Sequence, residues 1–334
     1  MYNSIGIDIS KRLISVYIPI ISLFIEIENS VKGFRSLVSK LKKQYKKEFD
    51  KTVFVFEPTG SYSVLLTKFC FDKNIKCFIV TPKQSSNFAK AHGERNKTDR
   101  ADAKVLSQAI VLAKKGEIKV PTYDKRVEEI HDLMSYYKFT VKSRVRLNNH
   151  LESLTAKNGS LYAIAELKKE VKKYKVKESE INSKILDIIK KDEKLEQDFK
   201  NISSVSGIGE KTAIVLLHLF LKYPNANQRE ITSLAGLDPV ERSSGTSVKS
   251  RPHISKAGAK IYRGTMFMGV ISAINNDENF KIFFNRLKAK GKHTTLIQIA
   301  VMRKILVIAH SLYRNNEEFD NEKYAKNCGR GEKN

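Results

Sequence analysis

Cysteine is scarce in this chain: there are three in 334 residues, at Cys70, Cys77 and Cys328. None forms a CxxC pair and three cannot build a disulfide framework, which excludes small stapled folds and the common zinc spacings. The expectation is buried or inert thiols in a reducing compartment. Long apolar runs are lacking too. No uninterrupted stretch approaches the roughly 20 residues of a membrane span, and MYNSIGIDIS has neither the basic nor the apolar region of a signal peptide. A cytoplasmic protein without a membrane partner is expected. Acids are in deficit, with 36 Asp and Glu against 61 Lys and Arg, a net charge of +25 and a pI near 9.8. A chain this basic usually meets a polyanion, through phosphate contacts that are salt-dependent and blind to base sequence. The 41% hydrophobic content suffices for two cores and a connector.

The few acids therefore matter by where they stand. Asp8 interrupts an apolar run that continues into Leu13, Ile14, Val16 and Ile18. Glu57 ends the run Val53–Phe56, which reads as a buried strand. Asp99 and Asp102 are three apart at the start of ADAKVLSQAIVLAKK, a helical pattern, so they share one face. Two carboxylates at strand positions and an acidic pair on a later helix suit an oxygen-ligated divalent cation. Mg²⁺ takes a few carboxylates and keeps waters for substrate phosphates, Mn²⁺ being an alternative. Two such ions clamp the attacking and leaving oxygens of a phosphoryl transfer.

The element pattern is independent of that argument. Residues 4–18 read as two strands around a turn at Ser10–Lys11, with a third at Leu23–Glu28. Ser30 is placed to N-cap an amphipathic helix. Thr52–Glu57 is a fourth strand, Tyr62–Asp72 a helix and Lys76–Val80 a fifth strand. Further helices start near Pro82 and Asp99. The order βββαβαβα is that of a ribonuclease H-like fold, α/β in class, where the first and fourth strands are neighbours. That adjacency brings Asp8 beside Glu57. We read residues 1–126 as this catalytic domain.

From 127 to 199 Lys and Glu dominate, and apolar residues recur at helical spacing from Ile130, Leu133 and Val141 to Ile181, Ile185 and Ile188. A polar break, KNGS, lies at 157–160. Two long antiparallel helices are expected, a coiled-coil-like arm and a candidate dimerisation device. Residues 200–315 read as a mostly helical domain, with a polar tail at 316–334. SVSGIGEKTA resembles half of a helix-hairpin-helix: Gly207 and Gly209 permit a tight turn, and the next helix, with Lys211, offers N–H groups to a phosphate. A Ser/Thr-rich loop follows, holding Ser243, Ser244, Thr246, Ser247, Ser250 and Ser255 among Arg242, Lys249, Arg251, His253, Lys256, Lys260 and Arg263. So much positive charge beside hydroxyls suits holding a phosphate, or attacking one.

Taken together, GIDISK (6–11), EPTGSY (57–62), RNKTDRADA (95–103), SVSGIGEKTA (204–213), LAGLDP (234–239), SSGTSV (243–248) and ISKAGAKIYR (254–263) resemble the transposases of insertion-sequence family one-ten and its sister group eleven-eleven. The resemblance spans about residues 3–310. It implies a DEDD RuvC-like domain with a metal-binding tetrad at Asp8, Glu57, Asp99 and Asp102, and a C-terminal transposase domain with a nucleophilic serine at Ser244. It implies an RNA-guided recombinase, in which a non-coding bridge RNA pairs with donor and target DNA and the two centres act together in a dimer or tetramer. Lys97 and Arg100, inside the acidic block, join the basic residues above as nucleic-acid contacts. Ile261–Tyr262 replaces a leucine-rich spelling, and the arm is unusually rich in lysine.

Ser244 would attack the phosphate to give a phosphoserine, conserving the bond for rejoining. Lys249, Arg251 and Lys256 are unranked candidates to assist, and His253 reads rather as a phosphate contact or surface residue. A rival reading is a metal-dependent, junction-resolvase-like nuclease that uses water and needs no serine. A pure nucleic-acid binder would leave the four acids unexplained.

Overall fold

The computed structural model describes residues 2–93, 98–241, 243–244, 248–249 and 252–329, with the backbone alone for 243–244, 248–249 and 326–329. It divides into two units, Met1–Asp124 and Lys125–Asn334.

In the first unit β1 (Asn3–Ile9), β2 (Leu13–Ile18), β3 (Leu23–Glu28), β4 (Thr52–Phe56) and β5 (Lys76–Ile79) form one mixed sheet in the order β3-β2-β1-β4-β5. The first three strands run antiparallel to their sequence neighbours, while β1–β4 and β4–β5 are parallel. The expected adjacency of first and fourth strands is present. β4 is buried at every residue, which is why it reads as a continuous apolar run. Side-chain alternation splits the core into two layers. Ile5, Ile7, Ile9, Phe54 and Phe56 meet α1 (Val31–Tyr45) and α2 (Val64–Asp72) on one face. Val53, Val55 and Phe78 meet α3 (Pro82–Ala91) and α4 (Asp99–Gln108) on the other. Helix starts are chemically marked: Ser30, Thr81 and Thr98 each accept a backbone N–H of the first turn, at 3.1, 3.3 and 3.2 Å. Cys70 and Cys77 lie buried between α2 and the sheet, and burial, with Cys70 alongside, pushes the Cys77 thiol up. The side chain of Cys328 lies outside the described residues.

The second unit begins with the helical hairpin α5 (Lys125–Ala156) and α6 (Leu161–Lys190), broken at KNGS and restarted by Ser160, whose hydroxyl accepts the Ala163 amide. At the base of the hairpin the apolar stripe is covered within the unit. Ile130 and Met134 pack with Ile181, Ile185 and Ile189 inside the unit's own core. Then follow α7 (Glu193–Ser203), α8 (Glu210–Lys222), α9 (Gln228–Leu234), four two-residue strands, α10 (Lys260–Asn276), α11 (Glu278–Ala289), α12 (Thr294–Asn315) and α13 (Asn321–Gly329).

One expectation needs correction, and one helix bears on a second. The serine segment is not a plain loop: β6 (Pro239–Val240) pairs with β9 (His253–Ile254), and β7 (Ser243–Ser244) with β8 (Val248–Lys249), all antiparallel. Its Ser and Thr content hid a hairpin because β-branched residues are few and the strands short. And α12 is, by length and composition, apolar enough to cross a membrane. Arg303 and Lys304 interrupt its apolar stretch, so no uninterrupted run reaches span length there. Its Ile297, Val301, Ile305, Leu306 and Ala309 sit in the core, and Arg303 donates to the Leu237 carbonyl at 2.6 Å.

Candidate active site

The strand pairing β1–β4 ends at Ile7 opposite Phe56. One residue further along each parallel strand stand Asp8 and Glu57, on the sheet face that carries α4. What lets α4 reach them is Gly6. A Cβ there would lie 1.8 Å from the Ala103 carbonyl oxygen and 2.5 Å from the Ser107 nitrogen, so the helix backbone rests directly on the strand. Asp102 immediately precedes Ala103, and Asp99 lies one turn earlier, at the helix start where the macrodipole favours negative charge. Gly6 was not singled out in the sequence, although a glycine inside an apolar strand is the usual mark of close backbone approach.

Asp8, Glu57 and Asp102 are half-buried and Asp99 is exposed. Burial raises the proton affinity of the Asp8 carboxyl, and the charges of Asp102, Asp99 and, less, Glu57 raise it further, against one backbone hydrogen bond from Ile9. All three other acids are therefore within electrostatic reach of Asp8. Reach is not ligation, however: among the described residues no three His, Cys, Asp or Glu side chains stand gathered closely enough to hold a metal ion. The two observations measure different lengths, since unscreened charges in a partly buried site interact beyond coordination distance. Carboxylate oxygens are the donors a divalent cation takes, so the donor type suits such an ion although the side chains are not gathered to ligand distance.

Asn29 is a second residue the sequence did not advertise. Its amide donates to the Ser10 carbonyl at 2.9 Å and to the Tyr62 carbonyl at 3.0 Å. Those two loops follow the strands bearing Asp8 and Glu57, so one side chain ties both acid-bearing strand ends together. Arg100, between the two helical acids, lies over the Phe24 ring at 5.7 Å.

In the second unit the base of the serine hairpin is firmly tied. The Ser255 amide donates to the Asp238 carbonyl at 2.9 Å, and its hydroxyl to the Asp238 carboxylate. Lys256 N–H bonds the Gly236 carbonyl at 3.1 Å. Arg263 donates to the carbonyls of Ala235 at 2.7 Å and Gly258 at 3.0 Å, so its fork serves the chain itself. Backbone pairing sets Ser244 opposite Val248 and Ser243 opposite Lys249. The side chains of Ser244 and Lys249, and all of Lys97, Arg242, Gly245, Thr246, Ser247, Ser250 and Arg251, lie outside the described residues. Lys256 and Lys260 are exposed.

At the α7–α8 junction Gly207 has φ +86, and a Cβ would strike Gly269 O at 2.4 Å and Ala273 Cβ at 2.6 Å. Its glycine is thus required by packing against α10. Gly209 is extended, caps α8 and faces open space. Lys211 lies over the Tyr137 ring at 5.1 Å. Glu210, bonded by Asn182, places a carboxylate at the same helix start, which disfavours an anion there.

Carboxylates from two strand ends and a helix in a protein of charge +25 suit an enzyme of nucleic-acid phosphates. A family model for DEDD transposases of the IS110 type matches residues 5–156, and one described as the transposase IS116/IS110/IS902 family matches residues 199–285. The chain belongs to the IS110 family of transposases. It is 27% identical over 276 residues to the pilin gene-inverting proteins of Moraxella bovis and Moraxella lacunata, covering 80% of this chain and 81% of each relative. It is 27% identical over 122 residues to an insertion element IS110 43.6 kDa protein of Streptomyces coelicolor, 36% of this chain and 29% of that one.

Proposed function

We propose that this transposase is an RNA-guided DNA recombinase. Asp8, Glu57, Asp99 and Asp102 hold divalent metal on a ribonuclease H-like (RuvC-like) sheet, and Ser244 is the nucleophile. The observation that carries the reading is the pull of the other three acids on Asp8, at the position where the DEDD family match begins. A bound Mg²⁺ or Mn²⁺ supplies Lewis-acid stabilisation of charge on the scissile phosphate. The chain's residues do the rest. The Ser244 hydroxyl gives up its proton and its Oγ bonds phosphorus. The bond from phosphorus to the 3′ oxygen breaks, and that oxygen takes a proton to leave a free 3′-hydroxyl. Attack by an exchanged 3′-hydroxyl reverses these events and releases serine, with no external energy source. Gene inversion, in the name of the Moraxella relatives, needs this conservation of bonds. Guidance by a non-coding bridge RNA, and assembly as a dimer or tetramer, are supported by the family resemblance and by the basic excess.

The test is Ser244→Ala incubated with guide RNA, donor and target DNA. Loss of both recombinant product and any denaturation-resistant protein–DNA adduct, with nucleic-acid binding retained, supports the reading. Wild-type product from the alanine variant ends the serine mechanism, and adduct-free hydrolysis by the wild type favours the water-using nuclease.

A further inference from the structure

We propose that the outward face of α5, from Lys138 to Asn149, is a docking surface for an unpaired DNA strand. The inference rests on the transposase family and is independent of Ser244 and of the metal.

From Leu133 to Leu151 the helix contains no Asp or Glu, while it contains Lys138, Lys142, Arg144 and Arg146. One side of α5 supplies Ile130 and Met134 to the core. Lys138, Phe139, Lys142, Val145, Arg146 and Asn149 are all exposed. They recur every three or four residues and so form one stripe, about 16 Å long. Phe139 is 61% exposed and Val145 45%, which places two apolar side chains among the cations of this face. Among the described residues no acid pairs with Lys138, Lys142 or Arg146. The contrast with neighbouring cations is informative. Arg144 is bound to Glu178 at 2.6 Å, and on α6 Lys169 and Lys173 are each paired with a glutamate three residues back, at 2.7 and 2.6 Å. Those two lysines of α6 carry acid partners; the cations of this α5 face do not.

Charge complementarity selects a polyanion. A second copy laid on the same face would set these cations against their own kind with no acid to offset them. The phenyl ring beside Lys138 and Lys142 narrows the choice further. Stacking on an aromatic needs a base that is outside a duplex stack, and lysines alongside then track the phosphates. Strand exchange by a DNA transposase has to separate paired strands, so the reaction itself furnishes an unpaired DNA strand.

The full-length protein is titrated with a fluorescent oligothymidylate across a range of salt, with a DNA duplex and oligouridylate in parallel. Replacing Lys138, Lys142 and Arg146 together by Gln should lower the magnitude of the log–log salt slope for the single strand by about 2, at roughly 0.7 per cation. Phe139→Ala should weaken binding roughly tenfold without changing the slope. Lys169→Gln with Lys173→Gln, a similar charge change on α6, should leave the slope unaltered. Circular dichroism checks that the helix persists. Wild-type binding by the α5 variants overturns the proposal. An equal loss on the duplex or on RNA overturns the assignment to unpaired DNA, and a fall in oligomer mass by light scattering makes the face a self-interface instead.

Discussion

Replacing Gly6 by alanine adds one methyl group where the structure has no room for it. The new Cβ would stand 1.8 Å from the Ala103 oxygen, whereas ordinary contact begins at 3.4 Å. Either α4 withdraws by about 1.6 Å or β1 bends, and backbone rather than a pliant side chain has to move. Overpacking of this kind costs about 1–3 kcal/mol, which for the first unit lowers the melting temperature by roughly 10 °C. The same withdrawal carries Asp99 and Asp102 away from Asp8, and a displacement of about 1 Å in a reacting site costs on the order of 100-fold in rate. Scanning calorimetry reads the first effect and metal-dependent strand cleavage the second. A control is Gly264→Ala in α10, where a Cβ meets nothing within 4 Å and where alanine should stabilise by about 0.5–1 kcal/mol. If Gly6→Ala melts and cleaves like the wild type, α4 is not seated through Gly6 and the account of the acid cluster fails.

Asp8→Asn should abolish cleavage yet raise the melting temperature in chelator. The folded carboxyl has a raised pKa, so the folded state holds the proton more tightly than the unfolded one, and stability falls as pH climbs from the ordinary aspartate value through the folded one. The same logic predicts that Mg²⁺ stabilises the wild type at pH 7 and the Asn variant hardly at all, as thermal shift will record. His218 gives the opposite slope: burial, helped by Lys222 and His131, lowers it to about 3. Stability is then full above the unfolded value and declines as pH falls below about 6.5, by about 1.4 kcal/mol per unit at most; His218→Leu should flatten that acid limb in urea titrations. Arg263→Met should destabilise the second unit by about 1–3 kcal/mol, through carbonyls left short of donors, while the salt slope for DNA binding stays unchanged. A fall in that slope would return Arg263 to the nucleic-acid interface.

Much of the first unit was legible because its signals are local. Alternation in β1 and β2, the continuous run of β4 and the capping Ser30 follow from single-element patterns. The neighbourhood of Asp8 and Glu57 followed from strand order alone. What escaped depends on contacts between distant segments. Gly6 has meaning only against Ala103, and Asn29 only because two loops converge on it. Arg263 reads from sequence only as one of several basic residues, and its bonds to the Ala235 and Gly258 carbonyls emerge only from the fold. In the arm, the apolar stripe was legible but its occupant was not, because periodicity tells that a face is buried and not by what.

At Gly6 the closest atoms of α4 are the backbone oxygen of Ala103 and the backbone nitrogen of Ser107. The spacing of the helical acids from the strand acids is therefore governed at Gly6, where only a residue without a Cβ preserves the approach. Changes among Val53, Val55, Phe78 and Val105 can loosen or tighten that layer without retuning the distance at Gly6. The arrangement shields the acid cluster from drift in the surrounding core. It also denies the cluster an adjustable span: a cation of different radius has to be met by rotation of the carboxylates alone.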